Sequence, residues 1–157
     1  MQQKFSILGD FDVSGVLCIT KFRGSQQKWL SNPQPNKVVS SSGYGRNLLA
    51  RVLAGDATYP PEITSASLGT GNLAAADGDT NLQTPVATGL TITNMTVTND
   101  QLQVDVFVPD GSLPNGTYKE FGLFCGGRLF CRIIISPSYT KGSGEDTLFS
   151  YQLTLTG

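Results

Sequence analysis

Two segments that lie far apart in the sequence constrain the fold of this chain more than any other part. Residues 63–85 read ITSASLGTGNLAAADGDTNLQTP, and residues 118–132 read YKEFGLFCGGRLFCR. The first predicts a strand that ends at Gly69-Thr70-Gly71, followed by a loop of small residues and an anchoring leucine, Leu82. The second predicts a hairpin with its turn at Gly126-Gly127. Neither segment carries a set of groups able to do chemistry, so both indicate architecture.

The composition favours one soluble domain with few charges and argues against several functions. The chain has 157 residues, of which 15% are charged, and its net charge is −1. The basic residues are scattered, whereas a nucleic-acid surface needs several of them on one face. The chain has no histidine, so it lacks the usual general base and the usual metal ligand. We therefore expect no catalytic residue, no cofactor and no metal.

Alternation of apolar and polar residues dominates the pattern along the chain. Residues 11–22, 101–108 and 147–155 each place apolar side chains on one face, as strands do. A short amphipathic helix is predicted where Leu48, Leu49, Val52 and Leu53 precede Gly55. Roughly seven to nine short strands separated by turns predict an antiparallel β-sandwich with one helix.

A single domain, 1–157, is expected to hold all of these elements. Residues 1–35 would supply N-terminal strands, including one at Phe5–Leu8, and a polar loop anchored by Trp29-Leu30. An alternative interpretation makes this N-terminal part an assembly arm.

The cysteines predict buried free thiols rather than a disulfide. Three cysteines are present, and a two-residue turn in the hairpin would place Cys125 opposite Arg128 and Cys131 opposite Gly122. The two sulfurs would then project from opposite faces of the hairpin. Free thiols suit folding in a reducing cytoplasm. The sequence shows neither a signal peptide nor an apolar run long enough to cross a bilayer, so no membrane insertion is expected.

Both faces of the predicted hairpin are apolar, so both must be covered. One face would carry Phe121, Leu123, Cys125 and Phe130, and the other Phe124, Leu129, Cys131 and Ile133. The sandwich core accounts for one face. Either the chain's own helix or a neighbouring subunit covers the other, and the sequence does not favour one over the other. The candidate interface residues are Phe121, Leu123, Phe124, Leu129, Phe130 and Ile133.

Several polar motifs suggest sites, but each has a simpler structural explanation. Gly69-Thr70-Gly71 lacks the lysine of a phosphate loop. Asp77-Gly78-Asp79 lacks the further oxygen ligands that calcium needs. Lys119-Glu120 is interpreted as an exposed or partner-facing pair rather than as part of a general-acid site with Glu145 or Asp146.

Two polar loops and one aromatic residue remain as candidates for contact with other molecules. Residues 71–78 and 109–116 are expected to project outward, and Trp29 is a candidate for stacking on a sugar. The candidate loop residues are Asn72, Asp77, Asp79, Asp110 and Asn115.

Three motifs together resemble structural proteins of tailed bacteriophages, in particular the baseplate-attaching N-terminal domains of tail fibres. The first is Leu68-Gly69-Thr70-Gly71 followed by an alanine-rich loop, the second is Asp79-Thr80-Asn81-Leu82, and the third is Lys119-Glu120-Phe121-Gly122-Leu123-Phe124. A closing strand after Tyr139-Thr140-Lys141 and the helix lead-in at residues 42–55 also fit. The similarity covers residues 36–157, and residues 1–35 match nothing in it.

The resemblance implies a non-enzymatic virion component that is made in the host cytoplasm. It implies partners among baseplate, fibre or capsid subunits and a homo-oligomer, with a trimer favoured. A long repetitive shaft, which a tail fibre has, does not follow the motifs in this sequence. Two alternatives are a capsid decoration or head-fibre protein and a carbohydrate- or receptor-binding module.

Overall fold

The computed structural model describes residues 12–156. Eleven strands and one helix follow one another in this range. They are β1 (Asp12–Arg23), β2 (Gln26–Leu30), β3 (Gln34–Pro35), β4 (Lys37–Val38), α1 (Arg46–Leu53), β5 (Ser65–Gly69), β6 (Pro85–Thr91), β7 (Asn94–Thr98), β8 (Gln101–Val108), β9 (Gly116–Cys125), β10 (Arg128–Lys141) and β11 (Asp146–Thr156).

The strands form two antiparallel sheets, which confirms the predicted mainly-β fold with one helix. The first sheet has the order β2-β1-β11-β8-β7, and β3 also pairs with β1. The second has the order β4-β10-β9-β5-β6. The core lies between them, where Leu17 and Phe149 of the first sheet join Phe121 and Leu123 of the second in one buried cluster. Phe121 and Phe149 stack with their ring centroids 5.5 Å apart.

The N-terminal part of the described chain belongs to the sandwich. β1 pairs with β11 from Asp12↔Thr156 to Phe22↔Asp146, and it lies between β11 and the short strands β2 and β3. Residues 12–35 are therefore not an arm that extends from the domain. The predicted polar loop after Arg23 contains β2, and its anchor Trp29 packs partly buried against the core while Leu30 is exposed. The strand predicted at Phe5–Leu8 lies outside the described residues.

A β-bulge in the hairpin corrects the predicted assignment of its two faces. Cys125 lies opposite Arg128 as predicted, but the register shifts at Phe130, so Cys131 lies opposite Leu123 instead of Gly122. A shift by one residue moves every following side chain to the other face. Cys131 and Ile133 therefore join the main core with Cys125. Cys125 and Cys131 are buried free thiols, as predicted.

The six candidate interface residues are all covered by the chain itself. Four of them lie in the main core, and Phe124 and Leu129 pack in a second cluster on the opposite side of the sheet. Loop residues of the chain, among them Leu82, cover that side. The prediction that these side chains face a neighbouring subunit is therefore corrected. The buried residues are Phe121, Leu123, Phe124, Leu129, Phe130 and Ile133.

The helix covers less of the core than its pattern predicts. Only Leu48 of α1 is fully buried, and Leu49 is partly buried against the main cluster. Val52 is 47% exposed and Leu53 is 90% exposed. The C-terminal turn of α1 therefore presents apolar side chains to solvent.

Candidate functional site

The site that the motif residues build is centred on the buried carboxylate of Glu120. This side chain is fully buried on β9. Its Oε1 accepts hydrogen bonds from the backbone amides of Gly71 at 3.0 Å and Thr84 at 2.7 Å. Its Oε2 accepts from the amide of Gln83 at 2.9 Å and from Nε of Arg132 at 2.8 Å. One carboxylate thus holds both ends of the loop formed by residues 70–84.

Arg132 on β10 holds the middle of the same loop. The residue is 3% exposed. Besides Glu120, its guanidinium donates from Nη1 to Oδ2 of Asp79 at 3.0 Å and from Nη2 to the carbonyl of Leu73 at 3.0 Å. Asp79 in turn accepts from the amide of Ala76 at 2.9 Å. The guanidinium and the carboxylate therefore fasten loop 70–84 at five points along its length. We call Glu120 and Arg132 the loop clamp.

The glycines of the motif leave room for the clamp. A Cβ on Gly69 would lie 2.5 Å from Oε1 of Glu120, and a Cβ on Gly71 would lie 2.5 Å from Cβ of Gln83 and 2.7 Å from Oε1 of Glu120. Real Cβ atoms do not approach other heavy atoms so closely. The glycines of Gly-Thr-Gly at the end of β5 thus permit the close approach of the Glu120 carboxylate, which the amide of Gly71 already binds.

The predicted anchor, Leu82, closes the loop against the sheet. Leu82 is buried in the second cluster with Val39, Phe124 and Leu129. A Cβ on Gly122 would lie 2.9 Å from Cδ2 of Leu82, so the glycine of Glu-Phe-Gly makes space for the leucine. The second face of the hairpin is therefore covered by the chain's own residues, in loop 70–84 and in the segment before α1.

The electrostatics of the clamp leave it no reactive group. Burial alone raises the pKa of Glu120, but hydrogen bonds from the amides of Thr84 and Gln83, from Arg132 and from the amide of Gly71 outweigh it. The pKa of the carboxyl consequently lies below its usual value. Four donors occupy the two oxygens, so the group has no lone pair directed toward a substrate. The expectation that Lys119-Glu120 forms an exposed pair was wrong for Glu120, which is a buried structural anion.

The acidic residues of loop 70–84 face cations of the chain itself. Oδ1 of Asp77 lies 3.1 Å from Nζ of Lys37 and 2.9 Å from Nη2 of Arg46, and Asp79 pairs with Arg132. Within residues 12–156, no group of three potential metal ligands comes together. Among the candidate residues of this loop, Asn72 and Asp77 are exposed and Asp79 is half-buried.

A second clamp, which the sequence did not suggest, holds the other candidate loop. Lys141 at the end of β10 is 2% exposed. Its Nζ donates to Oδ1 of Asp110 at 2.6 Å, to Oδ1 of Asn115 at 3.1 Å and to the carbonyl of Gly142 at 3.0 Å. The hydrogen bond from Lys141 lowers the pKa of Asp110. Both candidate residues of residues 109–116 are thus engaged within the chain.

The ring of Trp29, the candidate for sugar stacking, packs against side chains of the chain itself. Its ring centroid lies 6.1 Å from that of Tyr139, and Nζ of Lys21 lies 5.6 Å from the Trp29 centroid. The side chain therefore caps the core at the edge of the first sheet.

Comparisons with protein-family models, with curated proteins and with solved structures found no match for this chain. In the part of the chain that the structure describes, no helix has the length and apolar character needed to span a membrane.

Proposed function

We propose that this chain is a non-enzymatic structural protein of a tailed-bacteriophage virion, in which it attaches a fibre to the tail or baseplate. One observation carries the proposal. The motifs on which the resemblance rests are distant in the sequence, but Gly71, Asp79, Leu82 and Glu120 all belong to one loop and its clamp. Because these motifs build one structural element, their joint occurrence supports the resemblance more strongly than any one of them alone.

The buried charges of both clamps hold loops of the chain itself, which suits a structural role. Arg132 and Glu120 use their charges to hold a loop, and the buried Lys141 does the same at a second loop. Free thiols at Cys18, Cys125 and Cys131 suit a protein that folds in the host cytoplasm before it joins a particle. Partners would be baseplate, fibre or capsid subunits, and a trimer is the assembly that the resemblance favours.

Mass spectrometry and cryo-EM of purified phage particles whose genome encodes this chain would test the proposal. We expect the chain in the particles, with the sandwich fitted into density at the tail tip or baseplate. Density on the head shell would favour the capsid decoration or head-fibre alternative. Absence of the chain from intact, infectious particles would overturn the proposal.

The carbohydrate-binding alternative is tested with the isolated chain on a glycan array. Trp29→Ala would abolish binding if this ring stacked on a sugar. Binding by the wild type that is lost in this variant, with the fold retained, would replace the assembly proposal by a receptor-binding one.

A further inference from the structure

The last strand of the first sheet has a free edge. β7 pairs with β8 on one side, from Asn94↔Asp105 to Thr98↔Gln101, and no other strand within residues 12–156 pairs with its second side. All five residues of β7 are exposed. A free edge presents unpaired backbone N–H and C=O groups to any chain that approaches in an extended conformation.

β7 also lacks the features that protect the other edge strands. Proteins commonly block free edges with lysine, proline, bulges or very short strands. β2 contains Lys28, β3 and β4 have two residues each, and β6 begins at Pro85 and has an irregular register with β5. β7 reads NMTVT, with no charge and no proline, and its register with β8 is regular.

The apolar residues of β7 point toward the interior of the sandwich but remain open to solvent. Met95 lies opposite Val104 and Val97 opposite Leu102, so they share the core-facing side of the sheet. Met95 is nevertheless 38% exposed and Val97 is 74% exposed. The core-facing side of the first sheet therefore carries apolar side chains on β7 that the rest of the described chain leaves partly uncovered.

An apolar groove continues this surface. Its volume is about 210 Å³, and its apolar lining is Leu49, Val97, Leu102, Leu153 and Leu155. Leu53, one turn of α1 beyond Leu49, is 90% exposed. Contiguous apolar surface beside an unprotected edge is typical of a protein–protein contact.

We propose that β7 pairs antiparallel with β7 of a second copy of this chain, around a two-fold axis at Thr96. Asn94 then lies opposite Thr98 of the second copy, and Met95 lies opposite Val97. The two first sheets join into one continuous sheet. This inference goes beyond the proposed function and departs from the trimer that the resemblance favours, because a two-fold contact joins two copies.

The sequence of β7 is the reason to choose a second copy over an unrelated partner. A two-fold contact places the same surface on itself, so the surface must be self-complementary. The order polar-apolar-polar-apolar-polar of residues 94–98 reads the same in both directions. Apolar side chains therefore meet apolar ones on the inner side, and polar ones meet on the outer side. With no charge on the strand, no like charges oppose each other across the axis.

Charge substitutions at the axis test the pairing. Thr96 is exposed, so Thr96→Lys and Thr96→Glu leave the core intact, but each variant places its new charge opposite the same charge in the second copy. Thr88→Lys is the matched control, because Thr88 is an exposed threonine on β6, the edge strand of the other sheet. Sedimentation velocity of the full chain up to about 200 µM measures the association, since an interface this small is expected to be weak.

We expect a dimer for the wild type and for Thr88→Lys. We expect each Thr96 variant alone to dimerise at least about tenfold more weakly, because like charges are opposed. An equimolar mixture of Thr96→Lys and Thr96→Glu should recover the dimer, which a misfolded variant would not do. A monomeric wild type at the highest concentration, or a dimer that both Thr96 variants leave unchanged, would overturn the pairing.

A trimer whose stability is unaffected by both Thr96 substitutions would also overturn the pairing. It would leave the proposed function intact, because that function is decided by the presence and position of the chain in the particle. The two failures are therefore distinguishable.

Discussion

The carboxylate of Glu120 and the guanidinium of Arg132 lie 2.8 Å apart on adjacent strands, and neither side chain is more than 3% exposed. The register places Arg132 opposite Gly122, so the two charged residues are diagonal neighbours on the face of the hairpin that loop 70–84 covers. A buried ion pair of this kind is sensitive to the loss of one partner, because the remaining charge stays buried without compensation.

Arg132→Met should destabilise the protein by about 3–5 kcal/mol, because it leaves Glu120 ionised and buried without its cation. Glu120→Gln in the same chain should recover part of this loss, since the amide oxygen still accepts from backbone N–H groups and carries no charge. Urea unfolding of both single variants and the double variant gives the coupling energy. Strictly additive losses would show that the two side chains do not act as a pair.

Stability should fall at acid pH, and Glu120 should supply part of the fall. The pKa of Glu120 is lower in the folded protein than in the unfolded chain, so its contribution is present above about pH 4.3 and is lost as the pH drops through the folded pKa. Glu120→Gln should flatten the dependence of the unfolding free energy on pH in that acid range.

Asp105, Asp110 and Glu145 also have lowered pKa values, so a residual slope is expected in Glu120→Gln. An unchanged slope in Glu120→Gln would contradict the assignment of a buried anion.

Gly71→Ala should destabilise the protein by about 1–3 kcal/mol, because the new methyl group overlaps Gln83 and Glu120. Gly78→Ala in the same loop is the control, since a Cβ at Gly78 has no neighbour within 4 Å. This second change should be neutral or slightly stabilising through the loss of freedom in the unfolded chain. Thermal unfolding compares the two. Equal changes in stability in the two variants would mean that Gly71 is not required for the close approach of Gln83 and Glu120.

Lys141→Met should release the loop at residues 109–116 without releasing loop 70–84. The substitution removes the donor that Asp110 and Asn115 share. Limited proteolysis should then produce new cleavage between residues 109 and 116, while the peptide bonds of loop 70–84 remain resistant. Cleavage in both loops at once would indicate global destabilisation in place of a local effect.

The cysteines should react in a fixed order with iodoacetamide. Burial raises the pKa of Cys125 to about 12 and that of Cys131 to about 11, so neither forms thiolate at neutral pH while the protein is folded. Cys18 is only half-buried on the first sheet and should be modified first. Peptide mass spectrometry before and after addition of denaturant gives the order, and early labelling of Cys131 would contradict the packing of the hairpin.

The sequence predicted the elements that depend on local pattern. β8 runs from Gln101 to Val108, as its alternation indicated, and Phe149, Tyr151 and Leu153 of β11 face the core as expected. Such strands can be predicted from sequence, because a strand with one buried face has an apolar side chain at every second residue. Leu82 was also recognisable as an anchor, since it is a lone leucine among small and polar residues.

The elements that depend on register were not predictable from local pattern. The bulge at Phe130 reverses the faces of Cys131 and Ile133. No glycine or proline marks its position in residues 128–134. The pairing of Glu120 with Arg132 follows only after this shift is known. One signal was present, because Glu120 and Arg132 lie among the apolar residues of the hairpin, where buried charges are expected to be paired. Lys141 gave no comparable signal, since its partners lie in a loop about thirty residues away.

Hydrogen exchange of the amides of Gly71, Gln83 and Thr84, measured by NMR, tests the central claim most directly. The claim is that the motif residues hold a loop on the sheet. In the wild type we expect these amides to exchange as slowly as hairpin amides such as that of Leu123. In Glu120→Ala they should exchange much faster, while the hairpin amides keep their protection relative to global unfolding. Fast exchange of the three loop amides in the wild type would contradict the account.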